Sequence, residues 1–289
     1  MKVLVTGATG FIGRHLIPAL QKRNLEIVAT AFEEDPAPFP WLASCHYSSL
    51  DLASDFSKEN LFARFECPDL LIHLAWEGLP RYRECFHFET NLPRHYAFIK
   101  NLVVHGLSDV TVAGTCMEYG MCEGCLSENL PTAPDNAYAL AKDTLRKFLT
   151  ELRRTTPFSL KWPRLFYLYG PGQNPRSLLA QLDHALDTHQ SVFNMSQGEQ
   201  ERDYLPVEIA AEKLARIACQ RAVEGVINCC SGKPVTVKDL VTQHLAKKNR
   251  TIELNLGYYP YPDFEPMRFW GSTVKFDTVP FSPPQGLSR

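Results

Sequence analysis

Glycines at positions 7, 10 and 13, in Val5-Thr6-Gly7-Ala8-Thr9-Gly10-Phe11-Ile12-Gly13, lie directly behind the apolar run 1–5 and constrain this chain more than any other feature. The arrangement predicts a first β-strand, a tight turn and the N-terminus of a helix that continues through Arg14-His15-Leu16-Ile17. A turn without side chains lets backbone approach a pyrophosphate, and the free N–H groups of the helix start attract its charge. The GxxGxxG spacing differs from the dinucleotide fingerprint GxGxxG and is weak alone. It gains weight from Tyr138-Ala139-Leu140-Ala141-Lys142, a second chemically loaded segment further along the chain.

The 289 residues suffice for one large core or two modest lobes sharing a cleft. A net charge of −2 gives no broad basic field, which excludes nucleic acid as an expected partner. No apolar run reaches the roughly 20 residues that span a bilayer, and Gly7 to Gly13 interrupt any hydrophobic leader. The nine cysteines are an odd number without a framework pattern, as expected in a reducing cytoplasm. Cys122-Glu123-Gly124-Cys125 has no second CxxC to complete a metal site, so its cysteines read as loop residues. Cys229 and Cys230 read as small apolar strand residues, and no metal is expected.

The first half alternates short apolar strands with helical patterns, which predicts an α/β fold of Rossmann type: a doubly wound parallel sheet with crossover helices. Strands are expected at 2–6, 26–31, 45–48, 70–74, 110–113 and 160–166, and helices at 13–22, 89–104 and 136–154. After Tyr169-Gly170-Pro171-Gly172 the loops lengthen, and prolines gather at 260, 262, 266, 280, 283 and 284. Residues 1–166 are therefore expected to form the dinucleotide-binding domain, to which 205–230 return. A smaller substrate lobe is expected from 167–204 and 231–289, ending in a poorly ordered tail after Val279.

Tyr138 and Lys142, four apart on one predicted helix, face the same way. The ammonium can then lower the pKa of the phenol and make it an acid or base near neutrality. YxxxK also arises by chance as a surface aromatic and a solvated charge. Thr115, in Ala113-Gly114-Thr115-Cys116-Met117-Glu118-Tyr119-Gly120, follows the fifth strand, where open α/β sheets bind ligands. Together these motifs resemble the extended short-chain dehydrogenase/reductase superfamily, in its nucleotide-sugar epimerase, dehydratase and reductase branch.

The resemblance assigns a catalytic Ser/Thr–Tyr–Lys triad to Thr115, Tyr138 and Lys142. Tyrosine there exchanges a proton with a sugar oxygen that Thr115 also hydrogen-bonds, and lysine holds the nicotinamide ribose. It implies cofactor contacts from Gly7, Thr9, Gly10, Phe11, Ile12, Gly13 and Arg14, from Asp51-Leu52, and from Leu74-Ala75 in His73-Leu74-Ala75-Trp76. Asn91 matches a mainly structural asparagine. Substrate contacts are implied for Trp76, which replaces a small residue, for Cys116 and Met117, and for Tyr167, which stands where the family has asparagine. Arg202, in Arg202-Asp203-Tyr204-Leu205-Pro206-Val207, and Arg268 match two arginines that bind the substrate diphosphate.

In members using NAD the second strand ends in an acidic residue that binds the adenosine ribose. Here that place falls on Ala31 or Thr30, with Glu33 and Glu34 slightly later, and Arg14 is near enough to meet a 2′-phosphate. NADP is therefore the expected cofactor, with NAD as the alternative. Family dehydratases carry Asp-Glu after the threonine, whereas this chain has Cys116-Met117, and methionine cannot remove a proton. The expected reaction is reduction of the C4 keto group of a nucleotide-activated 4-keto-6-deoxyhexose. A nucleotide-sugar 4-epimerase is the runner-up, ahead of a reductase of a non-nucleotide carbonyl or a non-catalytic NADP-binding regulator. Relatives dimerise through a four-helix bundle that 89–104 and 136–154 can supply, although an apolar helix face can equally pack inside one monomer.

Overall fold

The computed structural model describes residues 1–261, 263 and 265–281; Pro262, Pro283, Pro284 and most of the expected poorly ordered tail lie outside them. The apolar run after Met1 forms β1 (Lys2–Thr6), whose side chains divide between two cores. Val3 and Val5 pack with Leu16, Ile17 and Leu20 of α1 (Gly13–Gln21) and with Leu214 of α6 (Val207–Ala218). Leu4 points the other way, into a core with Phe98, Ile99 and Leu102 of α3 (Leu92–Val104) and Leu145 and Leu149 of α4 (Ala137–Leu152). A strand apolar on both faces must be covered on both, and helical crossovers between parallel strands supply that cover in three layers.

Around β1 lie β2 (Glu26–Thr30), β3 (His46–Tyr47), β4 (Leu70–His73) and β5 (Asp109–Val112), with the short helix α2 (Leu61–Arg64) before β4. β6 (Gly114–Thr115) follows β5 at once, and β7 (Gly124–Leu126) lies beyond a 3₁₀ turn at Cys116–Tyr119. β8 (Ser159–Leu165) and β12 (Gly225–Cys229) complete a parallel sheet in the order β12-β8-β5-β4-β1-β2-β3, with β6 paired to β8. The expected strands are all present, with no end shifted by more than one residue. The helix expected from Glu89 instead begins with a π-type turn at His87–Asn91 before α3.

The remaining elements are β9 (Tyr167–Tyr169), α5 (Leu178–Asp187), β10 (Val192–Asn194), β11 (Glu201–Pro206), β13 (Pro234–Thr236), α7 (Val237–Lys248), β14 (Glu253–Asn255), β15 (Phe269–Gly271) and α8 (Val274–Asp277). β13-β11-β9 form one small sheet, β10-β14 another, and β15 pairs with β7. Asp203 on β11 is fully buried and accepts the backbone N–H groups of Ser231, Gly232 and Gly271, tying three distant segments together. Among the described residues no helix is long and apolar enough to cross a membrane.

Two constraints shape the ground beneath the cleft. Gly7 has φ +65°, and a Cβ there would stand 2.8 Å from the Ala75 nitrogen; a Cβ on Gly13 would stand 2.7 Å from the Ala8 carbonyl oxygen. The turn thus closes only on bare backbone. Under β6, the wholly buried Glu118 accepts Thr115 N–H (3.0 Å) and Trp162 Nε1–H (2.8 Å) on one oxygen and Arg164 Nε–H (2.7 Å) on the other. Thr115 returns the contact by accepting Met117 N–H, so Thr115-Cys116-Met117-Glu118 is a capping box that fixes the threonine.

Gly13→Ala is expected to cost about 2 kcal/mol in urea denaturation, because backbone rather than a side chain must move. Glu118→Gln keeps the shape but leaves the Arg164 charge buried without a counter-ion. A loss of about 3 kcal/mol or more is expected in the same measurement.

Candidate active site

The glycine turn opens onto a crevice of about 420 Å³ at the C-terminal ends of β1, β2 and β4. Gly7, Thr9, Gly10, Phe11, Ile12, Gly13, Leu52, Leu74 and Ala75, each an expected cofactor contact, line it together. Two expected contacts stand elsewhere. Asp51 spends its carboxylate on the N–H of Ala53 in its own turn, at 2.8 Å, while its neighbours Leu50 and Leu52 face the crevice. Arg14 lays its guanidinium 4.6 Å from the centre of the Trp41 ring and occupies the space over Gly172.

The rim bears on the expected NADP. Glu33 lines the crevice, its carboxylate accepting the Thr9 hydroxyl at 2.9 Å, and the Tyr47 hydroxyl donates to its backbone carbonyl. An acidic side chain therefore stands at the place where the sequence suggests none, because the chain turns back after Thr30 and returns Glu33 to the glycine turn. The cation invoked for a 2′-phosphate is engaged with Trp41 instead.

Deeper in, Thr6 Oγ1 accepts the N–H groups of Leu74 and Ala75, so its own proton points to His73 Nδ1 at 2.8 Å. His73 Nε2 then donates to His95 Nδ1, also at 2.8 Å, and His95 lines the crevice. Burial, reinforced by the charge on Lys142, keeps His73 (pushed down to about 3) and His95 neutral. Asn91 donates to the Glu77 carbonyl and braces the segment carrying Trp76.

Thr115, Tyr138 and Lys142 converge above this layer and are all buried. The Asn136 side chain caps α4 by accepting Ala139 N–H, which sets the phase that puts Tyr138 and Lys142 on the inward face. The Lys142 ammonium donates to the Ala113 carbonyl at 3.0 Å, and desolvation lowers its pKa to about 7 against the pull of Glu118. Tyr138 differs from expectation: burial pushes its phenol up, Tyr82, Glu118 and Cys116 add to this, and only the hydrogen bond with Thr115 opposes them. Desolvation prevails, and the phenol rests neutral.

Trp76, expected at the substrate, lies in the cofactor crevice, with its ring 6.0 Å from that of Tyr138. Cys116, Met117 and Tyr167 line a narrow adjoining cleft with Tyr82, Asn136 and Glu265. Burial pushes the Cys116 thiol far up, so it holds its proton. The two arginines are not free. Arg202 is buried, donates to the carbonyls of Glu201 (3.0 Å) and Met267 (3.2 Å), and pairs with Glu265 at 3.1 Å. Arg268 is half-exposed and pairs with Glu201 at 2.7 Å.

Sequence reasoning gave no role to Glu118, set Glu33 aside as slightly late, and gave none to Tyr82 or Glu265. The Thr-x-x-Glu spacing of a capping box signals the first, and the interval of about 20 residues past the glycine turn signals the second. No local pattern marks Tyr82 or Glu265, which long loops deliver.

Residues 3–230 match the NAD dependent epimerase/dehydratase family. The chain is 30% identical over 275 residues to a dTDP-6-deoxy-L-talose 4-dehydrogenase (NAD(+)) of Aggregatibacter actinomycetemcomitans, covering 94% of this chain and 100% of that one. It is 24% identical over 270 residues to the dTDP-4-dehydro-6-deoxyglucose reductase of Escherichia coli, covering 86% and 82%. In fold it resembles MoeE5, solved in complex with UDP-glucose and NAD, with a TM-score of 0.80, 24% identity, and coverage of 99% of this chain and 95% of that one. The chain therefore belongs to the NAD dependent epimerase/dehydratase family, the nucleotide-sugar branch of the extended short-chain dehydrogenases/reductases, whose members are NAD-dependent oxidoreductases and epimerases.

Proposed function

We propose that this enzyme interconverts a 4-keto and a 4-hydroxy group on a nucleotide-activated 6-deoxyhexose, using NAD(H). The observation that carries this reading is the burial of Thr115, Tyr138 and Lys142 together, with Tyr138 and Lys142 both against Trp76 at the edge of a crevice shaped for a dinucleotide. Glycine backbone at 7, 10 and 13 would hold the pyrophosphate, and Glu33, at the crevice rim, would take the ribose hydroxyls, where a 2′-phosphate would meet like charge. When bound, the nicotinamide supplies the two-electron acceptor or donor. Tyr138, protonated at rest, delivers its proton to the C4 oxygen in the reducing direction and takes it back in the other. Thr115 hydrogen-bonds the same oxygen, and Glu118 holds that threonine still.

The neighbouring residues limit the chemistry. Cys116 keeps its proton and Met117 has none to exchange, which leaves C4 redox rather than elimination of water. The lobe formed by 167–204 and 231–281 would hold the nucleotide. Its cavity of about 560 Å³ offers Gln173, Gln190 and Asn194 amides with Phe193 and Tyr259, a set suited to a base and ribose. Leu140, Phe148 and Val104, left half-exposed on α3 and α4, support a dimer through these helices.

Purified protein with NAD⁺ or NADP⁺ and a panel of dTDP-, UDP- and GDP-6-deoxyhexoses is expected to show substrate-dependent growth of reduced-nicotinamide absorbance. NAD⁺ should be favoured at least about tenfold. Conversion of plain nucleotide-hexoses without net nicotinamide change would instead indicate a 4-epimerase. Tyr138→Phe should lower kcat by about 10²-fold or more with NAD affinity kept, and Glu33→Ala should erase most of the preference for NAD. Unchanged turnover in the first, or unchanged preference in the second, would overturn the corresponding role.

A further inference from the structure

An indole occupies position 76, and its surroundings are specific. Lys142 Nζ sits 4.0 Å from the ring centroid, over the face of the indole. The His95 imidazole stacks on the same ring at 4.5 Å and 14°, and the Tyr138 ring meets it edge-on at 6.0 Å and 70°. The indole is itself held: Nε1–H donates to His87 Nδ1 at 3.0 Å, and His87 Nε2 must carry a proton because its partner, the Arg81 carbonyl at 2.9 Å, can only accept. Lys142 has one further polar partner, the Ala113 carbonyl.

We propose that Trp76 is a positioning residue: its indole face holds the Lys142 ammonium, charged, between the Ala113 carbonyl and Tyr138. The ring quadrupole attracts a cation most strongly where water is excluded, and the wholly buried Lys142 meets that condition. The groups facing Lys142 divide in sign. Glu118, in the turn after β6, favours the ammonium but already shares its charge with Arg164. His73 on β4, His95 on α3 and His87 in the π-type turn are each driven toward neutrality by burial and by Lys142 itself. Tyr138, on the same helix, stays neutral. The π face is thus the neutral surface that keeps a lone cation in place while three imidazoles remain uncharged. This role rests on the reading of Tyr138 and Lys142 given above.

Its test does not need turnover. Lysine isotope-labelled at Cε, with the Lys142 signal assigned from its loss in Lys142→Met, is titrated by NMR in the free protein. Trp76→Leu removes the π face, and its Lys142 midpoint should fall by about one pH unit, a roughly tenfold weaker hold on the proton. Trp76→Phe, which retains a π face, should shift less than half as far. Replacing tryptophan throughout by mono-, di- and trifluorinated analogues should lower the midpoint stepwise, and by clearly less in Trp76→Phe, a comparison that discounts the other indoles, Trp162 on Glu118 among them; it decides the matter if Trp76→Leu fails to fold. A lysine whose pKa falls is lost as a cation at lower pH, so the alkaline limb of turnover should move down by the same amount. An unmoved or raised midpoint in Trp76→Leu, or no trend with fluorination, overturns the proposal. Absence of any substrate-dependent turnover in the wild type would overturn the functional reading instead, and the titration would still decide on Trp76.

Discussion

The Glu118 carboxylate is the one charge on which the geometry of the site depends. It is fully buried and saturated by Thr115 N–H, Trp162 Nε1–H and Arg164 Nε–H, so it fixes β6 to β8 and sets the threonine beside the tyrosine. A carboxylate this deep survives because Arg164 offsets it, and Arg164 in turn lies 4.2 Å from the Tyr119 ring centre. The same negative charge reaches two neighbours on α4. It raises the pKa of Lys142 and that of Tyr138, favouring a protonated pair in the resting site. One buried anion therefore acts both as a structural clamp and as a bias on proton position.

Above it lies a layer that is polar in composition yet carries little charge. Thr6, His73 and His95 form a hydrogen-bond chain with a single direction, since two backbone donors already occupy the Thr6 oxygen. His87 is likewise fixed in one tautomer by the Arg81 carbonyl. Such a network fills buried space and satisfies its own donors without competing with Lys142 for the role of cation. The tryptophan at position 76 belongs to the same solution, because an indole brings one donor, which His87 accepts, and otherwise only π surface.

Strand positions, the glycine turn and the α4 pair were legible because each rests on a local rule. Alternating apolar runs fix strands, bare backbone fixes the turn, and an interval of four residues fixes a helix face. Roles that depend on chain return were not. Glu33 looked too late for the ribose, since strand counting ignores the turn after Thr30 that brings it back to Thr9. Arg202 and Arg268 were recognisable as motif arginines, but their carboxylate partners, Glu265 and Glu201, are set by loop paths and by the Glu201–Arg268 bridge that no spacing records. Asp203, inside the same motif, has the most distant consequences: its three backbone donors come from Ser231, Gly232 and Gly271. The depression expected for Tyr138 failed because sequence spacing conveys proximity to Lys142 but not the desolvation that exceeds it.

The arginine–carboxylate pairs bear on how a diphosphate would be met. Arg202 is anchored by two backbone carbonyls, and those contacts involve only Nη1. Its Nη2 is the nitrogen that holds Glu265, and Glu265 lines the cleft between Tyr82 and Tyr167. An arriving diphosphate can therefore replace one carboxylate oxygen at Nη2 while the guanidinium stays where the carbonyls hold it. The ordering of a long side chain, which commonly costs about 0.5–1.5 kcal/mol on binding, is then already complete in the free protein. What remains is an exchange of anions, and a carboxylate with one negative charge competes poorly against a diphosphate at a fixed guanidinium. Glu265 would leave that exchange still beside Tyr82 and Tyr167, as an acceptor for hydroxyl donors.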